Sequence, residues 1–460
     1  MKKGFFVIFL TSINFFLQAE TPVSFTLEEA KTYALKHAYE IKNADYDIQS
    51  AKKKVWETIA IGLPQIKGEA NYTNSLDIAT QLFPDFITPA IYDVNENRFG
   101  LTPIKPQGDV RYFPVQFGQQ FTGNYFINVE QLIFKGSYIV GVQAIKTYLK
   151  LTKEMKEKTK IEIKDIVSSA YFNVVVAKEN LEVLKQEIKN NQKLLYETKK
   201  LYENGFREET DVLQLSLITK NSKTRVIDAK RILIAGKNLL KFVMGIDIND
   251  PIEISDKLEN FTQDIFLNIP VIENDSFIKT HIDFKYNETN LTAQKYLLKS
   301  MYADYLPSIS AFYTYRKDAY SDRWNVFKDN WYKSSIIGLH VSMPIFKSGM
   351  QKAKIKQQKF TLKKLENESL QLIQRLKKDK IESYNNLNYT WDKFKNDKES
   401  LALAKKILNK TKITFKEGIS SSTELSQREQ QYLQSLNTYI YSTLNLLNAK
   451  TTYLKSIGKL

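Results

Sequence analysis

The side chains that usually carry chemistry are scarce and scattered in this sequence. It contains no cysteine, which excludes a thiolate metal site, a cysteine nucleophile, a disulfide framework and a lipid-modified N-terminal cysteine. Its three histidines, His37, His281 and His340, lie far apart and offer no paired acid/base or metal-binding spacing. No glycine-rich phosphate loop, metal-ligand cluster or nucleophile motif is present. The expectation is therefore a protein that is not an enzyme and uses neither cofactor nor metal. What remains are two acids in matching surroundings. Asp211 and Glu424 each follow a glycine, Gly205 and Gly418, that interrupts a long helical pattern. Ser421-x-x-Glu424 reads as a capping box, and Asp211 follows Thr210, a candidate N-cap, where an acid complements the helix dipole.

The elements around those glycines are long. Only 16 Gly and 11 Pro in 460 residues, with 26% charged residues, predict extended helices rather than a loop-rich fold. Lys and Arg outnumber Asp and Glu by 67 to 51, a formal charge of +16. The basic residues are spread along helices and not clustered with stacking aromatics, so a nucleic-acid partner is not expected. Met1-Lys2-Lys3, an apolar run from Phe5 to Leu17 and the small residue Ala19 have the anatomy of a secretory signal over residues 1–19. Its removal would lower the charge to about +14. No later apolar run is long enough for a membrane helix, so entry into a bilayer would require a β-barrel.

The chain is written twice. Leu63-Pro64-Gln65-Ile66 recurs as Leu306-Pro307-Ser308-Ile309, and Leu132-Ile133-Phe134-Lys135-Gly136-Ser137 recurs as Pro344-Ile345-Phe346-Lys347-Ser348-Gly349. Asn204-Gly205 followed by Thr210-Asp211 matches Glu417-Gly418 followed by Thr423-Glu424. The offset is 212 at Phe134 and 213 at Gly205, an agreement too long-ranged for chance. At Leu63-Pro64 it is 243, so the first half holds about 31 extra residues (243 less 212) ahead of its Phe-Lys motif. A period this long is a duplicated half-protein and not a solenoid.

Each half runs from helix to Leu-Pro, where proline ends the helix and the chain turns extended. Alternation follows. Ile66, Ala70 and Tyr72 interleave with Gln65, Lys67, Glu69 and Asn71, and Phe121, Tyr125, Ile127 and Val129 interleave with polar residues. Ile309, Ala311, Tyr313 and Tyr315 share one face, as do Ile337, Leu339, Val341, Met343 and Ile345. Such period-2 stretches fit outer-membrane strands as well as half-buried hairpins of a soluble sheet. Between the strands, residues 76–119 hold five prolines and residues 317–334 are polar with Trp324 and Trp331; both read as loops. Heptad spacing then takes over, in the first half from Ile163 through Val167, Ala170, Val174 and Ala177 to Tyr202. A helix from Gly136 to Asn204 would be roughly 100 Å long. Four strands cannot close a membrane barrel, so two, three or four chains would have to pool eight, twelve or sixteen.

The signal, the duplication, the Leu-Pro before a strand, Pro344-Ile345-Phe346 with Gly349 opening a long helix, and the opening Phe25-Thr26-Leu27-Glu28-Glu29-Ala30 together resemble the TolC family of outer-membrane efflux proteins. The resemblance covers essentially the whole mature chain, although Tyr39 stands where the family often has proline and Leu132 where the second copy has Pro344. It implies a mixed α and β fold, dominated by long antiparallel helical hairpins that form an α-barrel tunnel. Four strands per chain would join a shared 12-stranded membrane β-barrel in a homotrimer. The corresponding organisation is a signal peptide over 1–19, N-terminal helices over 20–64, and a strand pair over 65–134 with a long extracellular loop at 76–119. Helical hairpin 1 spans 135–243 with its tip near 205, followed by an equatorial linker at 244–284. The second copy comprises a helix at 285–307, a strand pair at 308–346 with loop 317–334, and helical hairpin 2 at 347–460 with its tip near 418.

The implied function is that of an outer-membrane channel, the exit duct of a tripartite efflux or type I secretion system in a Gram-negative-type bacterium, with a large periplasmic portion. Its implied partners are outer-membrane lipid, a periplasmic adaptor (membrane fusion protein) and an inner-membrane pump of the RND, ABC or MFS type. The resemblance makes Gly205 and Gly418 the adaptor-docking hairpin tips. By position it makes Asp211, Phe415 and Glu424 the periplasmic gate. Three copies of Glu424 would ring one opening, favouring cations. Phe415 stands for a tyrosine and lacks its hydroxyl, Gln427 replaces a second acid, and Ser420 stands where relatives carry arginine. The alternative is a periplasmic coiled-coil adaptor or scaffold, which would show one helical hairpin within split β segments; two hairpins launched from alternating strand pairs argue against it.

Overall fold

The computed structural model describes residues 23–85, 87–102, 111–262, 265, 270 and 274–460; the signal reading for residues 1–19 lies outside them. The chain divides into two compact units. One comprises Lys53–Lys146 and Gln294–Phe360 and holds the four principal strands. The other comprises Met1–Lys52, Thr147–Ala293 and Thr361–Leu460.

In chain order the elements begin with β1 (Val23–Phe25), α1 (Leu27–His37), α2 (Tyr39–Ala60) and β2 (Gln65–Asn74). Within the first insertion lie β3 (Thr80–Pro84), α3 (Ile87–Phe99) and β4 (Tyr112–Gln116), and β5 (Phe121–Lys135) follows. The first hairpin is α4 (Gly136–Glu203) and α5 (Glu209–Met244), and β6 (Ile252–Ile254), α6 (Leu258–Thr262), α7 (Phe277–Thr280) and α8 (Ile282–Ala303) come next. The second copy closes the chain with β7 (Ser308–Ser321), β8 (Trp331–Ser342), α9 (Met350–Lys416) and α10 (Ser422–Ser456). The expected fold class is borne out at the level of one chain: long antiparallel helical hairpins with four principal strands. Helix α4 has 68 residues and α9 has 67. Among the described residues no helix is long and apolar enough to cross a membrane.

The principal sheet is antiparallel in the order β2-β5-β7-β8. Its register turns the alternation of each strand into two-sidedness of the whole sheet. Ile66 pairs with Val129, Val129 with Tyr313 and Tyr313 with Ile337, so the alternating apolar stripes of the four strands share one face, while Phe126, Phe312 and Ile336 fall on the other. Tyr72, Tyr125, Tyr313 and Tyr315 all fall on it. The opposite face carries Lys67, Glu69, Asn71, Asn124, Asn128, Thr314, Arg316, Asp318 and His340. There Asn71 donates to Asn124 at 3.1 Å and Thr314 to Asn128 at 2.7 Å. Among the described residues the outer strands β2 and β8 each pair on one side only.

Both insertions are more ordered than their composition suggests. β3 and β4 pair as an antiparallel ribbon through residues that include Pro84 and Pro114, and α3 follows β3. Proline is tolerated there because a two-stranded ribbon has a free edge on each strand. Residues 103–110 of this insertion lie outside the described residues. In the second insertion strand pairing continues to Ala319↔Trp331, leaving a turn with a short 3₁₀ segment at Val326–Lys328. Lys317 and Asp318 fall in the expected loop 317–334, yet they are paired strand residues on opposite faces of the sheet. Where Leu132 replaces the proline of the second copy, β5 continues through an irregularity between Leu132 and Phe134 to Lys135.

In the other unit the heptad stripe is buried from Ile163 through Val167, Ala170, Val174, Ala177, Leu181 and Leu184. From Ile163 to Val174 it packs against α1, α5 and α10 in a core that includes Ala30, Ala34, Leu240, Met244, Leu446 and Tyr453, and Leu181 and Leu184 belong to a second core nearer the tips. Helix α1 starts at a complete capping box, in which the Thr26 hydroxyl accepts from the Glu29 N–H at 3.3 Å and the Glu29 carboxylate accepts from the Thr26 N–H at 2.8 Å. Strands β1 and β6 pair in parallel beside it. The Tyr171 hydroxyl donates to the Phe25 carbonyl at 2.8 Å and lies 2.9 Å from Asp256, tying α4 to this end of the chain.

Helices α1 and α2 are separated by Ala38, which takes an extended ψ of 141° although no proline follows. The break is met by Gly245, the left-handed C-cap of α5 at φ +75°. A Cβ on Gly245 would lie 2.4 Å from the His37 carbonyl oxygen. Gly245→Ala therefore combines positive-φ strain with a backbone clash and is expected to destabilise the fold by about 1–3 kcal/mol. Thermal unfolding of the detergent-purified protein checks this, and an unchanged melting temperature would refute it.

Candidate functional site: the paired hairpin tips

Both helical hairpins turn by the same local device. At the first tip, the Gly205 N–H donates to the Tyr202 carbonyl at 2.9 Å and the Phe206 N–H to the Leu201 carbonyl at 2.8 Å. At the second, Gly418 donates to Phe415 at 3.1 Å and Ile419 to Thr414 at 2.9 Å. Both glycines have φ near +80°, and a Cβ added at either would meet nothing within 4 Å. The requirement for glycine is therefore the left-handed backbone itself. The residues that follow, Phe206 and Ile419, are 77% and 75% exposed. Each tip thus presents one large apolar side chain to solvent.

The side chains behind the tips are arranged asymmetrically. Phe415 is fully buried, whereas Tyr202 at the equivalent position of the first copy is exposed. The guanidinium of Arg207 lies 4.4 Å from the centre of the Phe415 ring and donates to the Phe415 carbonyl oxygen. Asp211 lies 3.4 Å from the same guanidinium, one helical turn further on. Arg207 and Asp211 expose only 11% and 15% of their side chains, so this ion pair is better shielded than an ordinary surface pair. Two of the three expected gate positions, Asp211 and Phe415, are therefore joined by Arg207. That residue is not singled out by the sequence. Its position in the first copy corresponds to Ser420 in the second, whose hydroxyl lies 2.7 Å from that of Thr414. The signal available was a basic residue four positions before Asp211, within reach on a forming helix turn.

Glu424 stands apart from that cluster. Its backbone N–H donates to the Ser421 hydroxyl at 3.2 Å, and its carboxylate is 4.0 Å from Arg428. Ser421 is the N-cap of α10. At α5 the N-cap is Glu208 and not Thr210, whose hydroxyl instead donates to the Glu208 carboxylate at 3.0 Å. The Thr210 expectation failed because α5 starts at Glu209, in register with Ser422 of α10, so the position equivalent to the Ser421 cap is Glu208 and Thr210 already lies in the first turn.

Further from the tips, the heptad stripe carries a polar layer. Asn191, Ser222 and Glu429 are all buried. The Asn191 amide donates to Glu429 at 2.6 Å and lies 3.1 Å from the Ser222 hydroxyl. Lys412 pairs with Glu187 alongside. Apolar contacts flank the layer, including Leu184, Leu215, Leu408, Leu425 and Tyr432. Among the described residues no group of three or more acidic or histidine side chains is placed to hold a metal.

Residues 278–459 match the model of the family described as outer membrane efflux protein. No curated protein matches the sequence. Among solved structures, the chain is similar to the CmeC outer membrane channel of Campylobacter jejuni at 17% identity and a TM-score of 0.66, covering 94% of this chain and 85% of that one. It is similar to the open state of the Neisseria gonorrhoeae MtrE outer membrane channel at 14% identity and 0.68, covering 94% and 88%. The outer membrane protein VceC of Vibrio cholerae matches at 12% identity and 0.66, covering 94% and 96%. The fold is thus that of outer-membrane channels over nearly the whole chain. The match to the outer membrane efflux protein family falls on the second copy of the duplicated chain.

Burial raises the Glu429 carboxyl above its ordinary value of 4.5, with Lys412 and the Asn191 hydrogen bond opposing the shift. The folded protein then holds this proton to higher pH than the unfolded chain does. Stability from this group is greatest below pH 4.5, falls as pH rises through the raised value, and then levels. Glu429→Gln is expected to flatten the fall, read as melting temperature against pH; a variant that keeps the wild-type slope would refute it.

Proposed function

We propose that three copies of this chain form an outer-membrane exit duct for efflux or secretion. Four strands from each would close a 12-stranded barrel, and the two hairpins of each would continue it as a periplasmic tunnel. The observation that carries this reading is the four-stranded sheet with one apolar face and two open edges, whose strands β5 and β8 lead along the chain into helices of nearly 70 residues. In hydrocarbon an open edge leaves backbone groups unsatisfied, so copies must pair β2 of one with β8 of the next. The family match and the shared fold of CmeC, MtrE and VceC support the same reading. Conduction is passive, with energy supplied by an inner-membrane pump of the RND, ABC or MFS type through a periplasmic adaptor. The exposed Phe206 and Ile419 beside Gly205 and Gly418 suit adaptor docking, since isolated large apolar residues on a tip are ready interface anchors.

On this reading Arg207 is the latch of the periplasmic entrance. It clamps the first hairpin tip to the second through the Phe415 ring and carbonyl, held in place by Asp211. It supplies from the first copy the guanidinium that Ser420 does not supply from the second. Glu424 is the candidate selectivity residue, since three copies would surround one opening with negative charge.

The duct is tested by purifying the protein in detergent and recording conductance in planar bilayers. A trimer with discrete conductance is expected, while a monomer soluble without detergent and silent in bilayers would overturn the reading. Arg207→Ala is expected to raise single-channel conductance several-fold; wild-type conductance would reduce Arg207 to a packing role. Glu424→Gln is expected to lower cation over anion selectivity, measured as a reversal potential under a salt gradient. Unchanged selectivity would leave Glu424 as an ordinary acidic residue in the first turn of α10.

A further inference from the structure

The apolar face of the sheet carries two charges, and they are neighbours. Lys317 of β7 pairs directly with Lys333 of β8. The acidic residues of the four strands, Glu69, Glu130 and Asp318, lie on the opposite face by the same register. Like charges placed directly across a strand pair repel, and here no carboxylate of the same sheet face offsets them. On the other side of Lys317, Tyr125 of β5 pairs with it and places a phenol beside it, and Trp331 lies 5.3 Å from the Tyr125 ring. Tyr72, Phe327 and Trp331 continue this aromatic border with ring centres 6.0 and 6.4 Å apart.

The position of the pair along the strands is informative. From Ile309 at the helix-proximal end to Lys317 is eight residues, about 26 Å at ~3.3 Å per residue. At the ~40° tilt of membrane barrels this is about 20 Å of height, close to the ~25 Å apolar band of such barrels. Below the pair the face is apolar, with Ile66, Ile127, Tyr313, Ile337, Leu339 and Val341 exposed. The two ammonium groups therefore sit at the border facing away from the helices, where aromatic girdles meet lipid headgroups. Long lysine side chains reach such a border by extending their charge outward from an apolar surface.

Resting on the membrane reading above, we propose that Lys317 and Lys333, with Tyr125 and Trp331 beside them, form a binding site for the phosphate of an outer-leaflet lipid headgroup. A phosphate between the two ammonium groups converts their mutual repulsion into two charge-assisted contacts, and the aromatic rings pack against the adjoining sugar and acyl region. A phosphorylated glycolipid such as lipid A fits both halves of this site. Each trimer would carry three such sites, outside the conduction path.

The test uses the delipidated full-length protein in detergent, with bound lipid counted by native mass spectrometry. Diphosphorylated lipid A is expected to be retained at least tenfold more than phosphatidylcholine, with monophosphoryl lipid A between them. K317Q/K333Q is expected to remove that preference, and K317R/K333R to keep it. Millimolar inorganic phosphate is expected not to displace the lipid, and full displacement would show a free-anion site instead. Equal retention of charged and zwitterionic lipid by the wild type, or an unchanged preference in K317Q/K333Q, would overturn the proposal. Bilayer conductance of the same samples separates the outcomes, because a conducting trimer without lipid preference sinks this site and leaves the duct intact. If K317Q/K333Q fails to assemble, the lipid series on the wild type decides.

Discussion

Backbone hydrogen bonding at the sheet edges is the constraint on which the rest of the structure depends. Strands β5 and β7 are paired on both sides, but among the described residues β2 and β8 each have one unpaired edge. In water such edges are hydrated, whereas beside lipid each unsatisfied group costs several kcal/mol. The apolar face formed by Ile66, Val129, Tyr313 and Ile337 makes lipid the natural neighbour, so the proposed pooling of strands among copies is a consequence of peptide chemistry. The long helices follow the same logic. Their apolar stripes are too narrow to bury themselves and pack only against neighbouring helices.

The duplication supplies two nearly equivalent hairpins, and the interest lies in where they depart from equivalence. Gly205 and Gly418 close their turns with the same pair of backbone bonds, and Phe206 and Ile419 are exposed alike. Behind them the symmetry ends. Arg207 reaches from the first tip to the buried Phe415 of the second, while Tyr202 stays exposed and Ser420 makes a local hydroxyl contact. A connection between two otherwise repeated elements is the kind of feature that can distinguish a closed arrangement from an open one. In the proposed duct it is where a latch belongs.

Polar groups inside the helical packing have a different character. Asn191, Ser222 and Glu429 interrupt an otherwise apolar seam and satisfy one another there. Such a layer costs desolvation compared with leucine and in return disfavours misaligned helix registers. In a chain with two similar hairpins, each with several near-equivalent heptad offsets, one buried amide and carboxylate can select a single alignment.

Much of this architecture is determined by the sequence alone. Heptad spacing locates the helices, Leu-Pro and the positive-φ glycines locate their ends, and period-2 alternation locates the strands, because each rests on interactions between residues close in sequence. The duplication and the resemblance to outer-membrane efflux proteins are legible for the same reason. The tertiary structure decided what depends on residues distant in sequence. Sheet register gathered four apolar stripes onto one face and set Lys317 beside Lys333. Charges in the second insertion obscure strand pairing that extends to Ala319 and Trp331. Arg207 meets Phe415 across 208 positions of chain, and a stacked cation leaves no periodic trace. Local spacing specifies which elements form; the contacts that give them function are made through space, by packing that no single stretch of sequence contains.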